Sequence, residues 1–292
     1  MSKAKLGIIG GSGLGDALCE GHAGRSVKVD TPFGPPSDAI IETEWSGTPI
    51  AILNRHGPGH LIPPSSVNYR ANVYALKALG CTHVIASGAV GSLREDVKPR
   101  DLVIADQVID KTYRRVGTFF DDLAVHIEFA YPFCPVLRRH LYACRTAVGT
   151  TVHDGGTYVC MEGPAFSTRA ESEMHRTWGG DVIGMTVMPE AKLAKEAEMA
   201  YAIICLPSDY DCWRPAPADL DKHELLKEII GNLREVTAAA IALIKEAVRR
   251  FGEIADTPSP SHSALELAIW SNKALAGPEV FKKAGVLLRK YA

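Results

Sequence analysis

The sequence has no excess of charge of either sign and no long apolar run. Its 32 lysines and arginines stand against 34 aspartates and glutamates, which gives a formal net charge of −2. A chain without an overall positive field is not expected to bind nucleic acid or an acidic membrane surface. Nowhere do about 18 apolar residues follow one another, so no membrane-spanning helix is predicted. These absences favour a small-molecule ligand.

Cysteine pairs at metal-binding or redox spacing are also missing. The chain has seven cysteines, and no two of them are separated by only two residues. This excludes the common zinc and thioredoxin-like motifs, and no metal site is predicted. The N-terminal apolar stretch is too short for a signal peptide. We therefore expect a cytoplasmic protein whose thiols are reduced and mostly buried.

The order of apolar segments indicates the fold class. With 46% apolar and 23% charged residues, a chain of 292 residues can form a large core. Short apolar runs alternate with helical patterns, which predicts an α/β fold with a central mixed sheet flanked by helices. A helix is predicted to begin at Pro189, and a long amphipathic helix is predicted from about Leu220 to Arg250. Strands are predicted at Lys5–Ile9, Pro49–Asn54, Thr82–Ser87, Asp101–Ala105, Gly156–Cys160 and Ala202–Leu206.

A segment rich in proline and serine, Thr257-Pro-Ser-Pro-Ser261, follows the long helix. We predict one domain at residues 1–256 and a C-terminal extension at residues 257–292. The extension is too short to fold alone. It is expected to dock on the main domain or on a neighbouring subunit.

Glycine-rich turns are predicted after two of the strands. Gly10-Gly-Ser-Gly13 follows the first strand, but its spacing departs from GxGxxG, and the sequence contains no GxxxxGK. Such a turn can still direct several backbone N–H groups and the Ser12 hydroxyl at one anion. A second turn is predicted at Ser87-Gly-Ala-Val-Gly-Ser92.

Further anion-binding side chains are predicted beside these turns. Arg55 and His56 follow another strand, and Thr186 precedes the Pro189 helix. Strand ends on one edge of an α/β sheet are where such proteins bind ligands. A guanidinium and an imidazole suit a divalent oxyanion. Taken singly, Arg55 would more often form a surface ion pair and His56 would be an ordinary loop histidine, whereas together with the turns they predict a phosphate site.

Many separate motifs occur in order over residues 5 to about 250. They include Gly7-Ile-Ile-Gly-Gly-Ser-Gly13, Arg55-His-Gly57, Glu162-Gly-Pro164, Met185-Thr186 and Ser208-Asp-Tyr-Asp-Cys-Trp213. Together they resemble the 5′-methylthioadenosine phosphorylases. The resemblance implies the purine nucleoside phosphorylase/hydrolase-like fold and, as is usual in that family, a homotrimer.

The resemblance also implies roles for individual residues. Two departures from the family are Gly88, where threonine is usual, and Ala165, where arginine is common. Ser87 or the Gly88 amide would then replace the missing hydroxyl. The implied phosphate-binding residues are Ser12, Arg55, His56, Gly88, Ala89 and Thr186. The implied nucleoside-binding residues are Met185, Asp209, Tyr210, Asp211, Phe166, Ser167, Ile183 and, from a neighbouring subunit, His126.

The mechanism expected from these residues is phosphorolysis, with Asp209 and Asp211 as the catalytic carboxyls. The leaving purine needs a proton at N7, and Asp209 can supply it if burial raises its pKa. Related enzymes for 6-oxopurines carry asparagine at the Asp209 position and glutamate at Ser167, so aspartate with serine implies a 6-aminopurine. Inorganic phosphate is the co-substrate, and no cofactor is expected.

Specificity for the 5′ substituent is expected to depend on the start of the long helix. In methylthio-specific enzymes an apolar residue from this segment lines the pocket, and an ungapped match places Lys222 there. His223 would hydrogen-bond a 5′-hydroxyl if it turned inward, and Leu226 would contribute apolar surface. We expect 5′-methylthioadenosine and 5′-deoxyadenosine to be substrates, and adenosine to be poorer unless His223 reaches its hydroxyl.

Four other functions stay open. A dinucleotide-dependent oxidoreductase is disfavoured by the glycine spacing. A nucleoside hydrolase of the same fold would not need the anion-binding Arg55 and His56. A non-catalytic nucleoside-binding subunit would leave Asp209 unexplained. A purine nucleoside phosphorylase of broader specificity is the fourth.

Overall fold

A computed structural model describes residues 4–11, 14–19, 24–215 and 221–291. Within these ranges eleven strands form one sheet, and no helix is long and apolar enough to cross a membrane. The strands are β1 (Lys5–Gly10), β2 (Arg25–Val27), β3 (Ile40–Trp45), β4 (Thr48–Asn54), β5 (Cys81–Ser92), β6 (Leu102–Ile104), β7 (Gln107–Lys111), β8 (Val152–Asp154), β9 (Thr157–Met161), β10 (Val182–Gly184) and β11 (Ala200–Asp209). The helices are α1 (Leu14–Cys19), α2 (Tyr69–Ala78), α3 (Pro135–Ala143), α4 (Arg169–Thr177), α5 (Val187–Glu196), α6 (Lys222–Arg249), α7 (Lys273–Ala276) and α8 (Pro278–Ala284).

The sheet mixes parallel and antiparallel neighbours. Its main path runs β2-β3-β4-β1-β5-β10-β9-β7, while β11 pairs with β5 and β6, and β8 pairs with β6. Strand β5 is parallel to β1 and β11 but antiparallel to β10. This arrangement, with helices packed on it, confirms the predicted mixed α/β fold.

All six predicted strands are present, and β5 and β11 are several residues longer than predicted. The strand that begins near Thr82 continues to Ser92, so the glycine-rich turn predicted at residues 87–92 is wrong. Pairing with β11 keeps this segment extended, for Gly88 lies opposite Cys205 and Ala89 opposite Leu206. The partner strand lies more than 100 residues later in the chain, which is why local composition pointed to a turn instead.

One edge of β5 is left without a partner over a short stretch. Strand β1 pairs with this edge as far as Ala86, and β10 pairs with it only from Gly91. Strand β11 occupies the opposite edge from His83 to Gly91. In the part of the chain that the structure describes, residues 87–90 therefore have no strand neighbour on the first edge, and their backbone polar groups there can face a ligand.

Helix α6 confirms the long helix predicted between residues 220 and 250, but its first turns are not buried. The Asn232 side chain donates a hydrogen bond to the Ser208 carbonyl oxygen at 2.9 Å, near the end of β11. Residues before Asn232 extend past that strand end, so Leu226 and Ile230 are 54% and 57% exposed. Leu226 and Ile230 therefore lie outside the buried stripe of this amphipathic helix. That stripe begins later and includes Val236, Ala240, Leu243, Ile244 and Val248.

The C-terminal extension packs on the body of its own chain. Leu265, Leu287 and Leu288 are buried in the same apolar cluster as Ile9 of β1. Glu198, whose φ of 51° is left-handed, accepts hydrogen bonds from the Leu265 amide and the Tyr291 hydroxyl. The division of the chain at residue 256 stays a prediction.

The described cysteines agree with the expectation of buried, reduced thiols. The side chains of six cysteines are described, and all six are free. Only Cys212 among them is exposed.

Candidate active site

The unpartnered edge of β5 is where the predicted anion-binding residues meet. A Cβ atom placed on Gly11 would lie 2.7 Å from Arg55 Nη1 and 3.7 Å from Gly88 Cα, and one placed on Gly88 would lie 3.2 Å from Thr186 Oγ1. Glycine at position 88 therefore lets the Thr186 hydroxyl approach the strand closely. Ala89 is the next residue of β5. Ser12, the other predicted member, lies outside the described residues.

Arg55 is buried in an ion pair that the sequence did not predict. Its Nε and Nη2 atoms donate to the two carboxylate oxygens of Glu190 at 2.8 and 2.9 Å, and both side chains are fully buried. Tyr201 donates its hydroxyl to the same carboxylate at 2.7 Å, and Arg55 Nη1 donates to the Ser87 carbonyl oxygen at 2.9 Å. Burial alone would lower the pKa of Arg55, but the Glu190 carboxylate, helped by Tyr201 and Tyr69, raises it above its usual value. Of five guanidinium N–H groups, one on Nη1 and one on Nη2 have no hydrogen-bond partner among the described residues, so they can bind a ligand.

His56 is also buried and carries no positive charge at neutral pH. Burial, together with the nearby Arg55 guanidinium, lowers its pKa to about 4. Its Nδ1 atom lies 2.8 Å from the Ile62 carbonyl oxygen, and its ring stacks on His60 at a centroid distance of 4.1 Å. Because Arg55 is already paired with Glu190, Arg55 and His56 can form hydrogen bonds to a phosphate but bring little net charge to it.

Thr186 is fixed by an arginine that the sequence analysis missed. Arg115 Nη1 donates to the carbonyl oxygens of Met185 and Met188 at 2.6 and 2.5 Å, on either side of Thr186. Its Nε atom donates to Glu162 at 3.0 Å. Glu162 belongs to a recognised motif, but Arg115 comes from an irregular loop in which no pattern marks it. The Thr186 hydroxyl does not cap α5.

The purine end of the site is formed by Asp209, the last residue of β11. Its two carboxyl oxygens accept hydrogen bonds from the Ser208 hydroxyl at 2.7 Å and from the Asp211 amide at 2.8 Å. Burial raises the pKa of Asp209. A raised pKa is what Asp209 needs in order to act as the predicted proton donor. A Cβ atom on Gly91 would lie 3.2 Å from Asp209 Oδ1 and 3.1 Å from the Asp211 side chain. Gly91 therefore permits this close approach, a role the sequence analysis missed.

Asp211 is held by a serine on α4. Its φ of 47° is left-handed, and its carboxylate accepts a hydrogen bond from the hydroxyl of Ser172, which is fully buried. Cys212 donates its thiol to the Ser167 carbonyl oxygen at 3.2 Å. The loop after β11 is thus tied both to α4 and to the segment before it. Ser172 was not predicted as a site residue.

The remaining predicted nucleoside contacts differ in their exposure. Ile183 is 4% exposed and lies opposite Gly91 in the sheet, whereas Phe166 is 84% exposed. An isolated phenylalanine more often belongs to the core of a protein, but Phe166 does not. Met185 packs its sulfur against Gly163, where a Cβ atom would come within 2.5 Å. Tyr210 directs its hydroxyl to the Glu95 carbonyl oxygen at 3.5 Å.

Four predicted residues lie apart from this group. His126 is exposed and forms an edge-to-face contact with Trp270 at 4.8 Å. Lys222, His223 and Leu226 lie exposed in the first turns of α6, and residues 216–220 before them are outside the described ranges. No described hydrogen bond joins these four side chains to Arg55 or Asp209.

Strand β5 connects the two ends of the site. The anion-binding edge at Gly88 and the contact with Asp209 at Gly91 are three residues apart, roughly 10 Å along an extended strand. An anion and a planar base can therefore be held at the two ends of one small molecule. Among the described residues no group of three or more histidine, cysteine, aspartate or glutamate side chains is placed to hold a metal ion.

Comparisons with known proteins agree with this geometry. The family model described as "Phosphorylase superfamily" matches residues 5–249. The S-methyl-5′-thioadenosine phosphorylase of Geobacter sulfurreducens is 46% identical over 289 residues, with 98% of each chain covered. The enzyme of the same name from Anopheles gambiae is 47% identical over 250 residues, which cover 84% of this chain and 89% of that protein.

Solved structures show the same relationship. The crystal structure of a methylthioadenosine phosphorylase from an Antarctic soil metagenomic library superposes with a TM-score of 0.86 at 43% identity, covering 99% of this chain and 100% of that one. Methylthioadenosine phosphorylase from Schistosoma mansoni in complex with adenine gives a TM-score of 0.83 at 35% identity, covering 92% of this chain and 99% of that one.

Proposed function

Because the chain belongs to the phosphorylase superfamily, we propose that it catalyses the phosphorolysis of S-methyl-5′-thioadenosine. The bond between C1′ of the sugar and N9 of adenine breaks, and a bond from C1′ to a phosphate oxygen forms. The products are adenine and 5-methylthioribose 1-phosphate. The observation that carries this proposal is that β5 links the anion-binding edge at Gly88 to the half-buried carboxyl of Asp209 at Gly91.

Phosphate binds along the unpartnered edge of β5. The spare N–H groups of Arg55, the Thr186 hydroxyl and the backbone at Gly88 and Ala89 hold it, and Ser12 adds a hydroxyl. Holding phosphate against C1′ replaces a bimolecular encounter with a positioned attack, and its charge stabilises the developing oxocarbenium ion. Met185, fixed through Arg115, contacts the ribose.

The purine binds between Ile183 and the loop after β11, with Phe166 and Tyr210 closing over it. Asp209 donates its proton to N7 as the C1′–N9 bond breaks, so adenine leaves without a full negative charge. Once ionised, the carboxylate accepts hydrogen bonds from N7–H and from the 6-amino group. Asp211 and Ser167 support this orientation.

The 5′ substituent lies toward the first turns of α6. Leu226 and Lys222 cover the methylthio group, and His223 decides how well a 5′-hydroxyl is accepted. We expect 5′-deoxyadenosine to be turned over as well as methylthioadenosine and adenosine to be slower, which initial rates on the three nucleosides measure. Replacing His223 by valine should reduce only the adenosine rate. Equal rates on methylthioadenosine and adenosine, both unchanged in His223→Val, would contradict this account.

The proposed assembly is a cytoplasmic homotrimer without cofactor. His126 is exposed on its own chain, as a residue that reaches a neighbouring subunit's pocket must be. The free, mostly buried cysteines suit a reducing compartment.

Adenine release with and without phosphate tests the reaction. Purified protein should release adenine from S-methyl-5′-thioadenosine only when phosphate is present, with no added metal or nucleotide cofactor. Equal release in phosphate-free buffer would indicate a hydrolase instead.

A substitution at Thr186 tests the phosphate end. Thr186→Val removes one hydroxyl and should raise the KM for phosphate about tenfold while changing the nucleoside KM much less. It is a better probe than Arg55→Ala, which would leave Glu190 buried without its partner.

A further inference from the structure

Strand β11 carries one extra residue directly before Asp209. Pro207 lies opposite Val90 of β5, but the next pair along the two strands is Asp209 with Gly91, so Ser208 has no residue opposite it. Such a β-bulge shifts the alternation of side chains by one position. Without it Ser208 would lie opposite Gly91, and the Asp209 side chain would point to the other face of the sheet. The bulge therefore brings Asp209 to Gly91, where its carboxyl forms the purine end of the site.

The backbone carbonyl groups at this bulge are bound by residues outside β5. The Pro207 carbonyl oxygen accepts a hydrogen bond from the Arg100 amide at 3.0 Å. The Ser208 carbonyl oxygen accepts one from Asn232 Nδ2, on α6, at 2.9 Å. Arg100 Nε in turn donates to Asn232 Oδ1 at 2.8 Å. Arg100 and Asn232 thus hold two successive carbonyl groups of β11 and also bind each other.

Asn232 is a buried polar residue whose amide is bonded on both sides. It is 4% exposed. An amide supplies an N–H donor and a C=O acceptor in one plane, which suits a carbonyl oxygen on one side and a guanidinium on the other. Asn232 has no described hydrogen bond to Asp209. It acts on that carboxyl through Ser208, whose hydroxyl donates to Asp209 Oδ2 at 2.7 Å.

We propose that Asn232 is a positioning residue of the reaction: by holding the Ser208 carbonyl oxygen, it keeps the bulge that directs the Asp209 carboxyl at the purine. The inference rests on the proposed function, because it takes Asp209 to be the proton donor to N7. A proton donor must lie within hydrogen-bond reach of the atom that it protonates, and a displacement of about 1 Å is enough to slow a reaction strongly. Asn232 therefore affects the rate of bond cleavage and not the binding of phosphate.

Asn232→Asp tests the proposal with almost no change of size. The carboxylate still accepts from Arg100 but cannot donate to the Ser208 carbonyl oxygen, so two acceptors face each other and the bulge loses its support. The kcat for S-methyl-5′-thioadenosine should fall about tenfold or more, while the KM for phosphate should stay within about twofold of the parent. A kcat within about twofold of the parent would overturn the proposal.

Two further variants separate the bond to Ser208 from other contacts of α6. Asn232→Ala removes the donor without adding a charge and should lower kcat in the same direction, which keeps the test valid if Asn232→Asp does not fold. Glu235→Gln removes an exposed partner of Arg100 from the same helix, 3.2 Å from its Nη1 atom, and leaves the bond to Ser208 intact. Its kcat should equal that of the parent. An equal loss of kcat in Glu235→Gln and Asn232→Ala would overturn the proposal.

The pH profile of kcat distinguishes positioning from a loss of folded protein. A smaller folded fraction lowers kcat by the same factor at every pH. A carboxyl that has moved toward water is less buried, so the pKa of Asp209 falls toward its usual value and the protonated form is lost at lower pH. The alkaline limb should therefore move to lower pH in Asn232→Ala, which adds no charge, and should stay in place in Glu235→Gln. A lower kcat with an unmoved limb in Asn232→Ala would overturn the proposal.

Titration calorimetry with adenine separates this inference from the proposed function, because it needs no turnover. Asn232→Ala should bind adenine about fivefold more weakly than the parent, and Glu235→Gln should bind it equally well. If the parent releases no adenine from the nucleoside but this difference in binding is found, the proposed reaction fails and the positioning by Asn232 stands. If the parent releases adenine but both variants match it in kcat and in adenine binding, the positioning fails and the reaction stands.

Discussion

The two ends of the site bury their carboxyl groups in opposite ways. At the anion end Glu190 is paired with Arg55, and Glu162 with Arg115. At the purine end Asp209 has a hydroxyl and an amide as partners, and no described contact brings it a cation. Each paired carboxylate fixes the position of a guanidinium. The unpaired carboxyl is costly to ionise and so retains a proton that chemistry can use.

This difference separates positioning from reactivity. A buried ion pair adds little stability compared with apolar residues of the same volume, but losing one partner is expensive. We infer that Glu190 is a positioning residue that acts through Arg55. Asp209 is instead suited to touch the substrate, since its proton is its contribution.

Breaking the pair at the anion end should have the largest effect. Glu190→Gln leaves the fully buried Arg55 charge without its counter-ion and should lower the free energy of unfolding by about 3–5 kcal/mol. Denaturant unfolding measures this. The control Glu253→Gln, which removes an exposed partner of Arg250, should cost about 0–1 kcal/mol.

A double variant separates the effect of the Arg55–Glu190 pair on stability from its effect on phosphate-dependent turnover. Replacing both Arg55 and Glu190 by methionine should recover most of the stability but not phosphate-dependent turnover. If the Glu190→Gln variant is as stable as Glu253→Gln, the buried pair does not differ from an exposed one in the way described.

Removing the proton at the purine end should reduce the rate and leave the fold intact. Asp209→Asn should lower kcat for S-methyl-5′-thioadenosine by about 10²-fold or more, because the side chain keeps its size but can no longer donate from a carboxyl group. Inosine should be affected less, because the new amide can donate to its O6 atom. Turnover within a few-fold of the parent would contradict the assignment.

The pH dependence of the rate gives a further check on Asp209. A raised pKa means that the protonated form is lost as the pH rises through that pKa. The parent's rate should therefore fall on the alkaline side. In Asp209→Asn this limb should disappear, which a kcat profile against pH measures.

A fourth carboxyl, Glu196, is buried outside the site and sharpens the comparison. It lies on the same helix as Glu190, but among the described residues it accepts hydrogen bonds only from the Thr118 hydroxyl and the Phe119 amide. Burial raises its pKa to about 7. Between pH 4.5, the pKa of an exposed glutamate, and pH 7, the folded protein binds more protons at Glu196 than the unfolded chain does. Stability is therefore lost as the pH rises through this range.

Glu196→Gln should remove the loss of stability that ionisation of Glu196 causes as the pH rises. The difference in unfolding free energy between pH 5 and pH 8 should shrink by on the order of 2 kcal/mol relative to the parent. Denaturant unfolding at the two pH values measures it. An equal difference in the variant and the parent would show that Glu196 is not protonated in the folded protein.

The smallest expected effect concerns Ser172. Ser172→Ala removes the hydroxyl that donates to Asp211 and should lower kcat/KM for the nucleoside about fivefold, corresponding to about 1 kcal/mol for one hydrogen bond. The KM for phosphate should not change, since the anion end is untouched. Thr177→Ala is the matched control, because its hydroxyl lies on the same helix but bonds to the Glu173 carbonyl oxygen. A change in the phosphate KM would indicate that α4 has shifted as a whole.

Much of the site could be predicted from local sequence. Arg55 and Asp209 each follow a run of apolar residues, and Thr186 directly precedes a helix, so the strand ends carry these side chains to a common edge. Asp209 was predicted to donate a proton if burial raises its pKa, and burial at the end of β11 does raise it.

What could not be predicted depends on distant partners. Glu190 is separated from Arg55 by 135 residues, and β5 continues through its glycines only because β11 pairs with it. Nothing near Arg115 in the sequence marks it as the residue that fixes Met185. The orientation of the His56 ring likewise depends on one hydrogen bond, from Nδ1 to the Ile62 carbonyl oxygen in the following loop.

The way the chain fills its core bears on when folding can finish. Ile9, in the first strand, shares an apolar cluster with Leu287 and Leu288 in the C-terminal extension. During synthesis the early strands emerge from the ribosome long before these leucines, so one side of the cluster stays open to water until residue 288 has been added and released. The nascent chain therefore exposes the apolar surface of its early strands until these two leucines have left the ribosome.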